Sequence, residues 1–582
     1  MGPYAVCPKQ VLTLTLPGPT PHAPLPTPHS PLPTPHSPIT LTADVYTPDA
    51  PGPFPVLLMR QPYGRAIAST VVYAHPTWYA SHGYIVVIQD VRGRGSSGGE
   101  FRLFEAEDED GAATVQWAAN LPKSSGEVGM YGFSYQGMTQ LYAAARRPEP
   151  LKALAPAMVG YDLYADWAYE HGALLLQAGL GWAFQLAAET ARRAGDAAAY
   201  HALYQAGHQL PLDGPIPADP ALLRDLAPDS FFHDWRNHHQ PDAYWQSLQP
   251  DLTEVDLPML HIGGWFDPYL RGTLRLYQQM QAQSRAPQHL WIGPWGHLPW
   301  SRRVGARDFG PAAESPVDRL QLRWFNQFLK GHDEGFGQDS PVRLFDMGTN
   351  RWQDWPQWPQ ILPTAYALTS SGLAGMRLDD GLLLPPSAEA AEAAEADNPA
   401  PGYDVIVHDP WRPVPSLGGH SGFPSGSFDR AAIDGRSDVL TYSTSPLTTP
   451  LQVVGTPTLT LYLTVDAPSV DISAVLSEVY PDGRAFNFTQ GYGRFCLPQP
   501  DGVEGGVSPQ PIALALQATS FTVPQGHALR LSLAAAAFPA YPVNSGTGAT
   551  LDDVPQLQHR IITLAVWHGP EWASCLHLPV SQ

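Results

Sequence analysis

The sequence is poor in cysteine, in basic residues and in long apolar runs, and each shortage removes a class of function. Its three cysteines, Cys7, Cys496 and Cys575, are odd in number and spread over 582 residues, which excludes a disulfide framework and a cysteine-based metal site. Free thiols in a reducing compartment are expected. Lys and Arg number 33 against 54 Asp and Glu, a formal charge of −21, and a surface of that sign repels phosphate backbones and anionic lipid. Neither a nucleic acid nor a membrane partner is expected. The most apolar window, Gly172 to Ala188, is 17 residues long and contains Gln177 and Gln185, too short for a spanning helix and suited to a buried one. The opening MGPYAVCPKQ lacks the basic start and apolar stretch of a secretory signal. We expect a soluble, cytoplasmic protein.

What is present is material for several cores. A chain of this length divides into roughly two to four units. Residues 19–39 repeat a seven-residue unit, PTPHAPL, PTPHSPL, PTPHSPI, whose proline density favours extended polyproline II chain. Its histidines, His22, His29 and His36, fall roughly 22 Å apart at about 3.1 Å per residue, on different faces of a three-fold helix. They cannot share an ion, and 1–39 is assigned as a low-complexity N-terminal segment. The runs VLTLTL and ITLTADVY on either side of the repeats read as strands of one overgrown hairpin.

From there to residue 160, PVLLM, YIVVIQD, EVGMYG and LKALAPAMV read as buried strands. Two helical stretches, EDEDGAATVQWAANL and SYQGMTQLYAAARRP, lie between them, the alternation of parallel βαβ units. Residues 161–245 carry Ala, Leu, Trp and Tyr at helical spacing and read as an inserted helical cap. Strands return at PMLHIGGW and HLWIGPW, and a helix near 318–330 closes a domain assigned to 40–160 and 246–340. After 340, short strand runs between Pro, Gly and Asp turns indicate an antiparallel β-sandwich over 341–582. Within it, 387–401 is acidic and alanine-rich and reads as a surface loop.

The chemistry gathers around GFSYQG. Ser134 follows a strand run and opens a helical one, with Gly132 two before it and Gly137 three after. A nucleophile elbow needs small neighbours because its serine sits on a tight turn and projects above the sheet. Position 136 is Gln where the strict G-x-S-x-G pattern has Gly. Serine needs a base, and the base an orienting acid, at neighbouring strand ends. Asp267 follows PMLHIGGW and His297 follows HLWIGPW. The order Ser134, Asp267, His297 is that of the α/β-hydrolase fold. Asp267, before Pro268, also suits a helix N-cap, and His297 an aromatic loop. His261, inside its strand, is the weaker candidate base. DVRGRGSSGG lacks the G-x-x-x-x-G-K-[ST] phosphate pattern and reads as a structural turn with internal ion pairs.

With RQPYGR (60–65), DVRGRGSSGGEF (90–101), GFSYQG (132–137), GGWFD (263–267), IGPWGH (292–297), YDVIVHDPWRPVPSLGG (403–419) and SDVLTYSTSPL (437–447) in this order, the chain resembles the serine hydrolases related to cocaine esterase, α-amino acid ester hydrolases and X-Pro dipeptidyl-peptidases. The resemblance runs from about residue 40 to the end. It implies an α/β-hydrolase domain interrupted by a helical cap and followed by an antiparallel β jelly-roll (galactose-binding-like) domain. It places the triad on Ser134, Asp267 and His297, and the oxyanion donors on the Tyr63 hydroxyl and the Tyr135 backbone N–H. In the amino acid ester hydrolases, carboxylates that grip the substrate ammonium follow the catalytic Asp at two and three positions; here these are Tyr269 and Leu270, which points to a neutral ester. The X-Pro dipeptidyl-peptidases proper carry a long N-terminal domain, which about 40 residues cannot supply.

Trp182 in the cap, with Trp265 and Phe266 beside Asp267, are candidate walls of the substrate pocket. The expected protein is a serine hydrolase that needs no cofactor or metal and acts on a small-molecule ester. Amide or peptide hydrolysis of X-Pro type is the alternative within enzymes. A β-sandwich binding protein with a degenerate hydrolase domain is the alternative outside them.

Overall fold

The computed structural model describes residues 2–16, 38–66, 68–386, 402–497, 508–548 and 554–581. The proline- and histidine-bearing repeats, His22, His29 and His36 included, and the stretch 387–401 lie outside them. The N-terminal part contains β1 (Gln10–Leu16), β2 (Ile39–Tyr46), β3 (Phe54–Gln61), α1 (Pro76–Ser81), β4 (Ile85–Asp90), α2 (Glu107–Ala119), β5 (Ser124–Phe133), α3 (Tyr135–Ala145) and β6 (Leu151–Ala157). The cap holds a π-helical turn at Leu163–Ala168, the two-residue strands β7 (Tyr169–Glu170) and β8 (Ala173–Leu174), and α4 (Leu176–Ala194), α5 (Ala197–His208), α6 (Ala221–Leu226), α7 (Phe231–Asn237) and α8 (Ala243–Leu248). The chain then returns through β9 (Met259–Phe266), α9 (Leu270–Gln283), β10 (Gln288–Gly296), the small pair β11 (Arg303–Val304) and β12 (Arg307–Asp308), α10 (Val317–Lys330), β13 (Val342–Asp346) and β14 (Arg351–Trp355).

The main sheet has the order β1-β2-β4-β3-β5-β6-β9-β10-β13-β14. From β4 to β13 all neighbours are parallel, and antiparallel β1, β2 and β14 flank them. Strands buried on both faces read as unbroken apolar runs, and FPVLLMRQ is buried throughout. Val56 and Leu58 enter the core shared with α2, α3 and the cap. Leu57 and Met59 enter the opposite core, under α1 and α10. Helix α10 fits that face because Val317, Leu320, Trp324 and Phe325 form one apolar stripe.

Two boundaries move. β1 pairs along its whole length with β2, Leu16 opposite Ile39, so the sheet begins inside the segment assigned to 1–39; the alternation of VLTLTL suits an edge strand. At the other end β13 pairs in parallel with β10, which extends the hydrolase sheet from 340 to Trp355. Beyond it, the described residues between Pro363 and Ser581 form a thirteen-stranded β-rich domain. Among the described residues its named strands pair antiparallel except where Leu382 meets Ser443, and an isolated parallel bridge joins Pro415 to Phe538. A third core joins it to the hydrolase domain through Trp265, Phe266, Leu270 and Ile292.

Candidate active site

Ser134 occupies the turn between β5 and α3 with φ +59° and ψ −128°, a conformation that strains a residue carrying a Cβ. The glycines around it explain how the chain closes so tightly. Gly132 has φ +145°, and a Cβ there would lie 2.5 Å from the Cβ of Gln136. At Gly137 a Cβ would run into the Val159 side chain and stand 3.0 Å from the Ala157 carbonyl. The close approach to β6 thus falls at 137, which is why Gln is tolerated at 136.

Asp267 lies just beyond β9 and His297 just beyond β10. His297 Nδ1 and Asp267 Oδ1 are 2.8 Å apart, with Asp267 fully buried. The capping position of α9 is Tyr269, without a side-chain cap, so the Asp267 carboxyl serves the imidazole rather than the helix. The His297 ring packs against Phe133, the residue before Ser134, at 5.4 Å between centroids, and edge-on against Tyr269 at 4.9 Å. His261 stands apart: it is buried within β9, bonded to Gln288 Oε1 at 2.9 Å and pushed down to about 4 by burial.

Tyr63 reaches the same place from the loop after β3. Gln61 Oε1 accepts from its backbone N–H at 2.8 Å, and Gln61 in turn donates to Asp90 Oδ1 at 3.0 Å. Asp90 also accepts from the Arg65 backbone N–H and from Ser96 N–H, and pairs with the Arg65 guanidinium at 2.5 Å. The turn 90–99 is structural, as expected, but its ion pairs run outward, from Asp90 to Arg65 and from Arg92 to Asp110, and it holds Tyr63 in place. The Tyr63 hydroxyl lies beside Ser134 and accepts a hydrogen bond from Trp182 Nε1–H at 3.1 Å. Burial pushes its pKa well up, although Trp182, Arg94 and Ser134 each pull it back; the phenol stays protonated and can donate. Tyr135 is the first residue of α3, where a backbone N–H has no intrahelical acceptor. Its side chain is anchored elsewhere, on Glu107 Oε1 at 2.7 Å.

The pocket candidates divide. Trp182 is at the site, packed against Trp167 at 5.5 Å and Phe231 at 4.7 Å. Trp265 and Phe266 are not: Trp265 donates to the Phe345 carbonyl at 2.7 Å, Phe266 packs on Phe309, and both belong to the core shared with the β-rich domain. Both lie within β9, whose side chains enter the faces of the sheet, and position 267 is the first beyond the strand. Sequence reading missed Trp167 and Phe231. Trp167 contacts Trp182 and, at 4.6 Å, Tyr269; only its place in an aromatic-rich cap segment hinted at it.

An α/β sheet with a strained serine at its rim, a histidine–aspartate pair beside it and a cap above defines a serine hydrolase. Residues 38–299 match the model of the X-Pro dipeptidyl-peptidase (S15) family, and residues 334–568 that of the X-Pro dipeptidyl-peptidase C-terminal non-catalytic domain. The chain is 34% identical over 574 residues to cocaine esterase of Rhodococcus sp. (strain MB1 Bresler), covering 93% of this chain and 96% of the relative. It belongs to this family. Among solved structures, an aminopeptidase from the marine sediment archaeon Thaumarchaeota archaeon superposes with TM-score 0.77 at 21% identity, covering 94% of each chain. An α-amino acid ester hydrolase does so with TM-score 0.73 at 22% identity, covering 98% of this chain and 97% of the other. These two share the fold.

Proposed function

We propose that this enzyme hydrolyses carboxylic esters of small molecules through a covalent acyl-enzyme on Ser134. His297, oriented by Asp267, takes the Ser134 proton as Oγ attacks the ester carbonyl carbon. The Tyr63 O–H and Tyr135 N–H receive the developing oxyanion. His297 then protonates the departing alkoxide, and water, deprotonated by the same imidazole, releases the acid. The 2.8 Å bond between His297 and Asp267, with the His297 ring packed on Phe133 next to the strained Ser134, carries this reading.

A neutral acyl group is favoured by Tyr269 and Leu270, both uncharged and buried, and by the aromatic surroundings of Trp167, Trp182, Phe231 and Tyr269. The similarity to cocaine esterase supports an ester. The description of the matching family model supports a second reading, release of X-Pro dipeptides from peptides. For the β-rich domain we favour a jelly-roll, galactose-binding-like topology, in keeping with its antiparallel strands. Cys7, Cys496 and Cys575 are all unpaired, which supports a cytoplasmic setting. Among the described residues no helix is long and apolar enough to cross a membrane.

The test is a panel of p-nitrophenyl esters and X-Pro p-nitroanilides on wild type and Ser134→Ala, together with labelling by a fluorophosphonate probe. Ester turnover and labelling should both vanish in the variant. Undiminished turnover by Ser134→Ala would remove the nucleophile, anilide turnover exceeding ester turnover would select the peptidase, and an unlabelled, inactive wild type would favour a binding protein.

A further inference from the structure

The indole of Trp182 has a single polar hydrogen and can only donate, whereas a phenol both donates one hydrogen bond and accepts others. Trp182 Nε1–H points at the Tyr63 oxygen at 3.1 Å. Occupying that acceptor site leaves the phenolic proton to turn towards the neighbouring Ser134, where the oxyanion would form.

Trp182 belongs to α4, and α4 is held on the hydrolase domain by two arginines that cross in opposite directions. Arg94, from the turn after β4, is buried and donates through Nη1 to the Leu186 carbonyl at 2.9 Å and to Thr190 Oγ1 at 3.1 Å, with its guanidinium 3.7 Å from the centre of the Phe101 ring. Arg193, from the end of α4, donates back to the carbonyls of Gly95 and, at 2.9 Å, Ser97. Leu186 lies one helical turn beyond Trp182. The same loop that fixes Tyr63 through Asp90 therefore fixes the helix whose indole orients the Tyr63 hydroxyl.

We infer that Trp182 is a positioning residue for the oxyanion hole. Its N–H aims the Tyr63 proton at the reacting carbonyl, which makes the cap helix part of the catalytic apparatus as well as a wall. This rests on Tyr63 acting as an oxyanion donor. A ring that only lines a pocket would act on substrate binding whether or not Tyr63 carries a hydroxyl. One that acts through the hydroxyl must lose its effect when the hydroxyl is gone.

The experiment is a double-mutant cycle of Trp182→Phe and Tyr63→Phe on p-nitrophenyl acetate, with inhibition by phenylboronic acid, a mimic of the tetrahedral species, measured alongside inhibition by benzoate. Trp182→Phe alone should lower kcat about tenfold with KM within about threefold, and in the Tyr63→Phe background it should change kcat less than about twofold. Boronate inhibition should weaken about tenfold and benzoate inhibition should not. Equal losses in both backgrounds, parallel weakening of both inhibitors, or wild-type kcat in Trp182→Phe would each overturn the positioning role while leaving the triad intact. Full activity in Tyr63→Phe would overturn the oxyanion reading itself, and this role with it.

Discussion

Gln517, in the β-rich domain, donates its side-chain amide to the backbone carbonyl of Asp267 at 3.1 Å and to that of Trp265 at 2.9 Å. Gln517 is itself held at both ends of its peptide unit, its N–H by the Gln490 carbonyl and its C=O by the Thr489 hydroxyl. The domain matched as non-catalytic thus braces the turn that presents Asp267, the proposed acid of the triad. Gln517→Leu should lower kcat roughly tenfold in a folded protein, since a misplaced relay costs rate more than binding. Gln517→Glu, which sets an acceptor against two carbonyls, should cost more. Steady-state kinetics with far-UV circular dichroism decide it; full kcat in both variants would show that the brace is idle.

Gly132→Ala should remove most activity. A methyl group there meets the Gln136 Cβ at 2.5 Å, and φ of +145° is a conformation that alanine avoids. The turn must open to relieve the contact, which carries Ser134 away from His297. Fluorophosphonate labelling should slow by at least about a hundredfold, in line with the loss of an aligned nucleophile. Labelling at the wild-type rate would mean that the elbow can yield elsewhere.

Glu170→Ala should destabilise the joint between the cap and the β-rich domain. The Glu170 carboxylate is buried, 3.1 Å from Arg271 Nη1 and 2.8 Å from His420 Nε2, and it accepts from the Tyr541 hydroxyl at 2.5 Å. Burial alone would raise its pKa, but Arg271 and His420 outweigh it and hold the group well below the carboxylate range. Removing the carboxylate leaves the partly buried Arg271 and the buried His420 and Tyr541 without this partner, a loss on the order of 2–4 kcal/mol. A urea midpoint within experimental error of wild type would refute this. By sign, the stability this carboxylate contributes is present above its unfolded pKa of about 4.3 and is lost as pH falls through the folded value.

Acid should weaken the hydrolase sheet through two other buried groups. His261 and His289 are each pushed down to about 4, chiefly by burial. In the unfolded chain both protonate near pH 6.5, whereas in the fold they remain neutral until about pH 4. Between those values the unfolded state binds more protons, so stability falls as pH drops from about 6.5 towards 4, by a few kcal/mol per group. Melting curves at pH 7.5 and 5.0 should show a larger drop for wild type than for His261→Leu. Identical drops would exclude His261 as a source.

The parts of the site legible in the sequence are those written in local chain. Ser134, Asp267 and His297 each stand one residue past a strand, and strands buried on both faces announce themselves as apolar runs. The glycines that let the serine turn close are two and three residues from it. Trp265 and Phe266 were misjudged for the converse reason: adjacency to Asp267 in the chain says nothing of which side of a strand end a side chain leaves. Trp167 gave only the weak signal of an aromatic-rich segment and Gln517 none, because what brings them to the site is the docking of the cap and of the β-rich domain.

By itself, then, the sequence determined the parallel sheet, the turn chemistry and the order of the three candidate catalytic groups, all set by steric and hydrophobic preferences acting within a few residues. Tertiary structure alone decided that an indole meets a phenol 119 residues away and that a glutamine reaches a carbonyl 250 residues away. Such contacts exist only when packed surfaces set two directional groups within hydrogen-bond range. That geometry depends on every element between them and is carried by no stretch of chain alone.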